Sequence, residues 1–191
     1  MQKIFLGIAV LGMASLMFAQ DHPKATSATY ITAEQVQTVL KSKPDTGDHS
    51  IKIVDVGPYN MAVGVVHRGP TKDKEGIANG LEHHFQTENF VIISGGGTMV
   101  TGGTMIDGKE WTPDNFAYKI LNGPTLSGNV KLSDPGVTQR VVKVGDIITI
   151  PPDVFHGWIK IMDHVEYLSI RPSERVIPAG YRHPSIANDP E

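Results

Sequence analysis

Apolar and polar residues alternate through the middle of the chain, which predicts a protein built of short β-strands. Five runs carry the pattern: residues 51–56, 61–67, 139–144, 146–150 and 164–171. Gly, Pro, Asn and Asp residues separate the runs and are typical of turns. With further runs around residues 81–102, we expect about nine strands, which favours an antiparallel sandwich or a jelly-roll β-barrel. The pattern alone leaves these two all-β architectures open.

One short helix is predicted ahead of the strands, within an N-terminal extension at residues 21–50. Thr32 and Gln35 have the spacing of a capping box, in which each side chain accepts a hydrogen bond from the other residue's backbone N–H. Three apolar residues follow at helical spacing: Val36, Val39 and Leu40. The helix should end near Pro44, because the residue before a proline resists the helical conformation.

Residues 1–20 have the pattern of a secretory signal peptide. Lys3 gives a positive start, residues 4–18 are almost wholly apolar, and Ala19 offers a small residue before polar sequence. The apolar run is short for a membrane span, and no second run of this kind follows it. We therefore expect a periplasmic or secreted mature protein that has no stable membrane insertion after signal cleavage.

Composition excludes several classes of function. The net charge of -3 gives no basic patch, so nucleic acid is not an expected partner. The chain has 0 cysteines, which excludes a disulfide framework and thiolate ligands. Its 191 residues suit one folded domain, which we place at residues 51–171, followed by a C-terminal tail at 172–191.

Two weakly patterned segments are expected to be irregular. Residues 68–80 are charged and contain glycine, which predicts a surface loop. Residues 104–138 are rich in turn chemistry, with one short strand expected at 118–121. Insertions of this length in a compact domain are usually functional or disordered, and we expect the second one to shape specificity.

Two stretches carry the chemistry of a metal site. Glu82, His83, His84 and Glu88 fall within seven residues and run into an apolar segment, while His156 follows a second strand and a Pro-Pro-Asp turn. Imidazole and carboxylate groups that lie this close together in the sequence are suitable ligands for one divalent cation of iron, manganese, nickel, copper or zinc. The candidate metal ligands are His83, His84, Glu88 and His156.

These stretches resemble the two motifs of the cupin superfamily, in particular its single-domain, metal-binding members. The first motif is matched by Gly76, a histidine at 83 or 84, Glu88 and Gly95, and the second by Gly145, Pro151 and His156. The resemblance covers roughly residues 51–171. It implies a jelly-roll β-barrel with one short N-terminal helix, a metal ion at its centre, and a small-molecule substrate or ligand; it leaves a homodimer open.

The chain departs from the cupin pattern at the first histidine of His-x-His. In one register Glu82 takes that position and His84 is the second ligand; in the other Leu81 takes it and His83 is the second ligand. Neighbouring strand residues face opposite sides, so His83 and His84 should not both point inward without a bulge. Asp153 and Lys160 also replace a glycine and an asparagine of the second motif. The sequence does not choose between the registers.

Three functions remain open, one of which is a structural or storage barrel in which the histidines are inert. The first is a metal-dependent enzyme acting on a small organic substrate, most simply an oxygenase, with isomerase or lyase chemistry open to the same site. The alternative is a non-catalytic periplasmic protein that binds a small ligand or a metal. Fold resemblance raises the expectation of a metal but does not name a substrate, because this architecture supports many chemistries.

Overall fold

The computed structural model describes residues 27–42, 47–72, 74–173 and 175–189. The predicted signal peptide at 1–20 lies outside the described residues, as do 21–26 of the extension. The described helices are α1 (Ala33–Ser42), a π-helix at Tyr118–Asn122 and a 3₁₀ helix at Pro184–Ile186. None of these described helices has the length and apolar character that a membrane span requires.

Ten strands make up the rest of the described fold. They are β1 (Asp48–Asp55), β2 (Asn60–Arg68), β3 (Ile77–His83), β4 (Glu88–Gly102), β5 (Ile106–Glu110), β6 (Thr125–Lys131), β7 (Val137–Lys143), β8 (Ile147–Ile150), β9 (His156–Ile159) and β10 (Val165–Ser173). All of the pairings between these strands are antiparallel.

The long strand β4 belongs to two sheets. Its first half pairs with β10 and β8, which gives the order β1-β2-β10-β4-β8. Its second half pairs with β7 and β9, which gives β7-β4-β9-β3-β6-β5. Gly95 lies at the change of sheet with φ 64°, and a Cβ there would lie 2.0 Å from the carbonyl oxygen of His164. The predicted all-β jelly-roll barrel with one short N-terminal helix is confirmed.

The capping box and apolar face predicted for α1 are both present. Gln35 N donates to Thr32 Oγ1 at 3.1 Å, and Thr32 N donates to Gln35 Oε1 at 3.4 Å. Val39 is fully buried and packs with Ile51 and Val65 of the first sheet. The helix thus covers the outer face of that sheet.

Apolar side chains from both sheets fill the space between them. The main cluster contains Val66, Phe90, Ile92, Met99, Val142, Ile150, Ile161, Val165 and Tyr167. A second cluster lies towards the β3–β6–β9 side and contains Ala78, Val100, Val130, Phe155 and Ile159. Phe90 of the first cluster lies two residues after Glu88, and Phe155 of the second cluster directly precedes His156, so packed core anchors both sequence motifs.

The prediction of irregular structure at 104–138 is wrong. This segment contains β5 and β6, and the expected strand at 118–121 is a π-helix. The predicted loop at 68–80 also gives way to β3 from Ile77 onwards. Strand β6 pairs with β3 on one side and β5 on the other, so tertiary pairing overrides a weak local pattern.

Close approach of β3 to β9 depends on Gly80. A Cβ there would lie 2.1 Å from the carbonyl oxygen of His156 and 2.6 Å from Phe155 Cζ. We expect Gly80→Ala to lower the free energy of unfolding by about 3 kcal/mol, because strands or core must shift. Gly69→Ala is the matched control, since nothing lies within 4 Å of its Cβ, and it should change stability by less than about 0.5 kcal/mol. Urea denaturation checks both; equal losses would contradict the steric account.

Candidate metal centre

Strand ends position the three residues of the site. His83 is the last residue of β3 and Glu88 the first of β4, while His156 opens β9. The turn before β9 is joined to the end of β3, because Asp153 N donates to the carbonyl oxygen of His83 at 3.0 Å. Strand register places Leu81 opposite His156. The two sequence motifs therefore meet at one point in the fold.

The side chains of His83, Glu88 and His156 converge in the barrel interior. Each histidine Nε2 lies 3.2 Å from Glu88 Oε2. The potential ligand atoms of the three residues all lie within 4.8 Å of one another. The residues are 3%, 2% and 6% exposed, respectively. Among the described residues this is the group of histidine and acidic side chains that could hold a metal ion.

Hydrogen bonds on the far side of each ring decide where the imidazole protons lie. His156 Nδ1 faces the carbonyl oxygen of Val154 at 3.1 Å, and a carbonyl only accepts, so Nδ1 carries the proton. His83 Nδ1 faces Thr125 Oγ1 at 3.0 Å. The Thr125 hydroxyl donates to the carbonyl oxygen of Asn122 at 3.2 Å, so it accepts from His83. In the neutral form of each ring, Nε2 therefore presents a lone pair.

In that form, the two Nε2 atoms and Glu88 Oε2 are three acceptor atoms that face one another. Glu88 Oε2 is buried and has no hydrogen-bond partner among the described residues. Burial lowers the pKa of His83, although Glu88 opposes that shift, so the ring is held neutral. Buried polar atoms are normally satisfied, and a cation between these three would satisfy all of them. The donor set fits a divalent metal of the imidazole–carboxylate class.

The second carboxylate oxygen of Glu88 is fully engaged. Arg171 donates to Oε1 through Nε at 2.8 Å and lies 2.6 Å away through Nη2, and Ser169 Oγ donates to it at 2.5 Å. Burial by itself would raise the pKa of Glu88, but the charge of Arg171 holds it well below its ordinary value. Glu88 is therefore a carboxylate with one oxygen anchored and the other directed at the histidines.

His84 lies outside this group. Its side chain is 25% exposed and contacts two carboxylates, Asp153 through Nδ1 and Glu110 through Nε2. These contacts, above all the one with Asp153, raise the pKa of His84. Of the four residues predicted as metal ligands, the structure brings three together and places His84 at the surface. The adjacent turn contains Phe85, which is exposed and has φ 64°.

The structure chooses between the two sequence registers. His83 points inward, so Leu81 takes the position of the first His-x-His histidine and contributes an apolar side chain. Glu82, the other candidate for that position, is half-buried and outside the group, and its burial raises its pKa. The site consequently has two imidazoles and one carboxylate.

A cavity of about 560 Å³ opens onto the three residues. Its apolar lining includes Leu81, Phe90, Leu121, Trp111 and Trp158. The charged lining consists of Asp48, Glu88, Arg68, Lys72, Lys74 and Arg171. A volume of this size lies within the range of small-molecule sites. Trp111 and Leu121 come from the 104–138 segment, which places that segment in the cavity wall.

The π-helix is anchored by side chains from distant elements. Ile120 O accepts from Ser50 Oγ at 2.6 Å, and Leu121 O accepts from Arg171 Nη1 at 3.0 Å. Asn122 O accepts from Gln86 Nε2 and from Thr125 Oγ1. Single-turn π-helices occur frequently at functional sites. Sequence reasoning missed Arg171, which binds both Glu88 and this turn, because nothing in its local sequence signals a buried charge.

A separate chain of hydrogen-bonded polar side chains lies on the surface near the bend of β4. Ser94 Oγ and His164 Nε2 are 2.8 Å apart, and His164 Nδ1 lies 2.8 Å from Asp163 Oδ2. Asp163 is 91% exposed, and none of these residues lines the cavity. The Ser94–His164 contact ties the start of β10 to the bend of β4.

No family model matches the chain, and no curated protein matches it. Solved structures do. They include the DMSP lyase DddQ from Ruegeria pomeroyi, at TM-score 0.40 and 11% identity over 76% of this chain and 56% of that one. A recombinant oxalate oxidase in complex with glycolate matches at TM-score 0.43 and 13% identity, over 78% of this chain and 63% of that one. A Klebsiella pneumoniae protein with a double-stranded β-helix domain matches at TM-score 0.41 and 14% identity, over 78% of this chain and 94% of that one.

The chain spans only part of the first structures that it matches, covering 38% and 56% of two DMSP lyase chains. At this level the likeness concerns the fold. It assigns neither a substrate nor a reaction to this chain.

Proposed function

We propose that the protein is a metal-dependent enzyme that acts on a small organic molecule through a mononuclear site formed by His83, Glu88 and His156. One observation carries the proposal. Two buried imidazole Nε2 atoms each lie 3.2 Å from one buried carboxylate oxygen, which has no hydrogen-bond partner in the part of the chain that the structure describes. Such a group is costly in a protein interior unless a cation occupies it.

The donor set limits the metal and favours one reaction class. Two histidines and one carboxylate with open coordination positions form the facial triad of non-haem iron oxygenases, and manganese, nickel, copper or zinc also bind such ligands. When bound, the metal would supply Lewis acidity or redox chemistry to a ligand in the cavity. Oxygenase chemistry is therefore the first reaction to assay.

The surrounding side chains hold these three groups in place. Thr125 and the carbonyl oxygen of Val154 fix the orientation of the two rings, and Arg171 fixes the carboxylate. Contacts of this kind orient metal ligands and tune their basicity. Leu81 and Phe90 line the cavity beside the site and reduce the access of water. Export to the periplasm or the medium remains part of the proposal and rests on residues 1–20.

A non-catalytic protein that binds a small ligand or a metal is the second candidate. Leu81 favours it, since this position has lost the imidazole of the cupin pattern and leaves a site with fewer donors. Metal content does not separate the two functions. Conversion of candidate substrates does, measured by dioxygen consumption and by product formation, because a binding protein converts none.

Metal removal is the first test of the site. Protein purified without chelator should contain close to one equivalent of a divalent metal by elemental analysis. Adding EDTA should lower Tm, because a metal at about 100 times its Kd stabilises the folded state by about 2.7 kcal/mol, which corresponds to roughly 5–10 °C for a domain of this size. A protein that contains no metal and takes up none on titration would overturn the proposal.

A further inference from the structure

The cavity beside the candidate metal centre is lined by more cations than its ion pairs require. Besides Arg171, its lining includes Arg68, Lys72 and Lys74. The two lysines are exposed, whereas Arg68, the last residue of β2, is half-buried. Exposed charges are screened by solvent and salt, so Arg68 is the cation of this set that can act most strongly on a bound molecule.

A buried tyrosine orients the Arg68 side chain. Arg68 Nε donates to Tyr167 Oη at 3.2 Å, and Tyr167 is 1% exposed. Its ring packs against Phe90, with centroids 4.1 Å apart, and against Trp158 at 5.6 Å. Nη1 and Nη2 of Arg68 donate to none of the described residues. The guanidinium is thus fixed through one nitrogen and keeps two charged N–H₂ groups for a partner.

Charge balance in the cavity favours an anion. Arg171 contacts Glu88 and Asp48, so two carboxylates face one guanidinium in the buried wall. Arg68 supplies the second positive charge, and these four groups are neutral together. A divalent metal bound by Glu88 would then leave two uncompensated positive charges, to which Lys72 and Lys74 add. A ligand with one or two negative charges restores neutrality.

Much of the remaining lining is apolar, with Trp111, Trp158, Phe90, Leu81 and Leu121, beside the polar side chains of Thr71, Asn79, Asn122 and Asn129. A molecule that fills about 560 Å³ against these side chains must carry an apolar body. The planar fork of an arginine matches a carboxylate with two parallel hydrogen bonds. Cavity shape and charge therefore point to the same class of ligand.

We propose that the cavity binds an organic carboxylate with an aromatic or other apolar body, and that Arg68 binds its carboxylate group. The inference deepens the proposed function, on which it rests for the charge of the metal at the same cavity. Arg68 is then the residue that determines specificity for anionic over neutral molecules, and Tyr167 is the residue that positions it.

Phenylacetate and its neutral counterpart phenylacetamide are the probes. Their binding is measured by ligand-observed NMR and calorimetry on the full-length protein, both loaded with zinc and free of metal. The variants are Arg68→Met, which removes the charge, and Arg68→Lys, which keeps the charge without the fork. Lys72→Met is the matched control for a charge at the cavity rim. Zinc affinity is measured for every variant.

We expect zinc-loaded protein to bind phenylacetate at least about tenfold more tightly than phenylacetamide, since hydrogen bonds to charged groups contribute about ten- to a hundredfold in affinity. Arg68→Met should reduce this preference at least about tenfold and Arg68→Lys should reduce it in part. Lys72→Met should change it less than about threefold at physiological salt. Zinc affinity should stay within about threefold throughout, which shows that the variants fold.

The outcomes separate the two proposals. Equal affinity for the two probes, or a preference that Arg68→Met leaves unchanged while zinc still binds, overturns the carboxylate inference and leaves the metal site intact. Wild-type protein that binds no zinc but keeps an Arg68-dependent preference for phenylacetate overturns the proposed metal-dependent function and supports the carboxylate site.

Discussion

Replacing Arg171 with methionine is expected to lower the free energy of unfolding by about 3–5 kcal/mol, the cost of leaving a buried charge unpaired. Arg171 is 2% exposed and contacts Glu88 at 2.6 Å and Asp48 at 3.1 Å. It also donates to the carbonyl oxygen of Leu121 at 3.0 Å. Methionine has a similar length and fills the space, so the loss measures charge and hydrogen bonding rather than a cavity.

A surface arginine in the same chain is the control. Arg175 also binds a carboxylate, with Nη1 2.9 Å from Asp55 Oδ2, but both partners are partly exposed. Arg175→Met should therefore lower stability by no more than about 1 kcal/mol. Urea denaturation of metal-free protein measures both variants. A loss in Arg171→Met no larger than that in Arg175→Met would show that the buried pair is not a determinant of stability.

A second substitution tests the cause. Glu88→Gln in the Arg171→Met background removes one of the carboxylates that had lost its partner, so it should recover part of the stability.

The contribution of Glu88 to the stability of the wild-type protein should depend on pH, because its pKa in the folded protein lies well below its ordinary value of 4.5. Its contribution is fully present above that value and is lost as pH falls through the lower, folded pKa.

Local patterns predicted the parts of this fold that depend on near neighbours. The capping box at Thr32 and Gln35 forms as predicted, because its hydrogen bonds join residues three positions apart. The strands at 51–56, 61–67 and 164–171 also appear close to their predicted bounds, since each buries one face against the core. The expected strand at 118–121 is a π-helix. Its carbonyl groups accept hydrogen bonds from the side chains of Ser50 and Arg171, which lie far away in sequence, so a local pattern cannot predict them.

The candidate metal site also has features that local sequence predicts and features that depend on tertiary structure. Motif spacing predicted that Glu88, His156 and one of His83 and His84 could act together, since each lies at the end of a strand with a turn beside it. The choice between His83 and His84 depended on the conformation of the turn at residues 84–87, where Phe85 adopts φ 64°. The two ends of the Glu88–Arg171 pair lie 83 residues apart and meet only through the pairing of β4 with β10. Sequence spacing contains no information on that contact.

Neighbouring histidines give the sharpest test of the candidate ligands. His83→Ala and His156→Ala should each lower metal affinity by more than about a hundredfold, a larger loss than removal of groups that merely orient a ligand, which costs about 10- to 100-fold. His84→Ala should leave affinity within about threefold, because that side chain lies at the surface with Asp153 and Glu110. Calorimetric titration with zinc and elemental analysis of the purified variants provide the measurement.

The metal content of each alanine variant tests a different part of the ligand assignment. Retained circular dichroism and a cooperative urea transition in His83→Ala would show that metal loss is not unfolding. Loss of metal in His84→Ala with retention in His83→Ala would reverse the assignment and restore the register in which Glu82 takes the first position. Full occupancy in His156→Ala would remove the second motif from the site altogether. Because His83 and His84 are adjacent and of one chemical type, only the direction in which each side chain points can separate their effects.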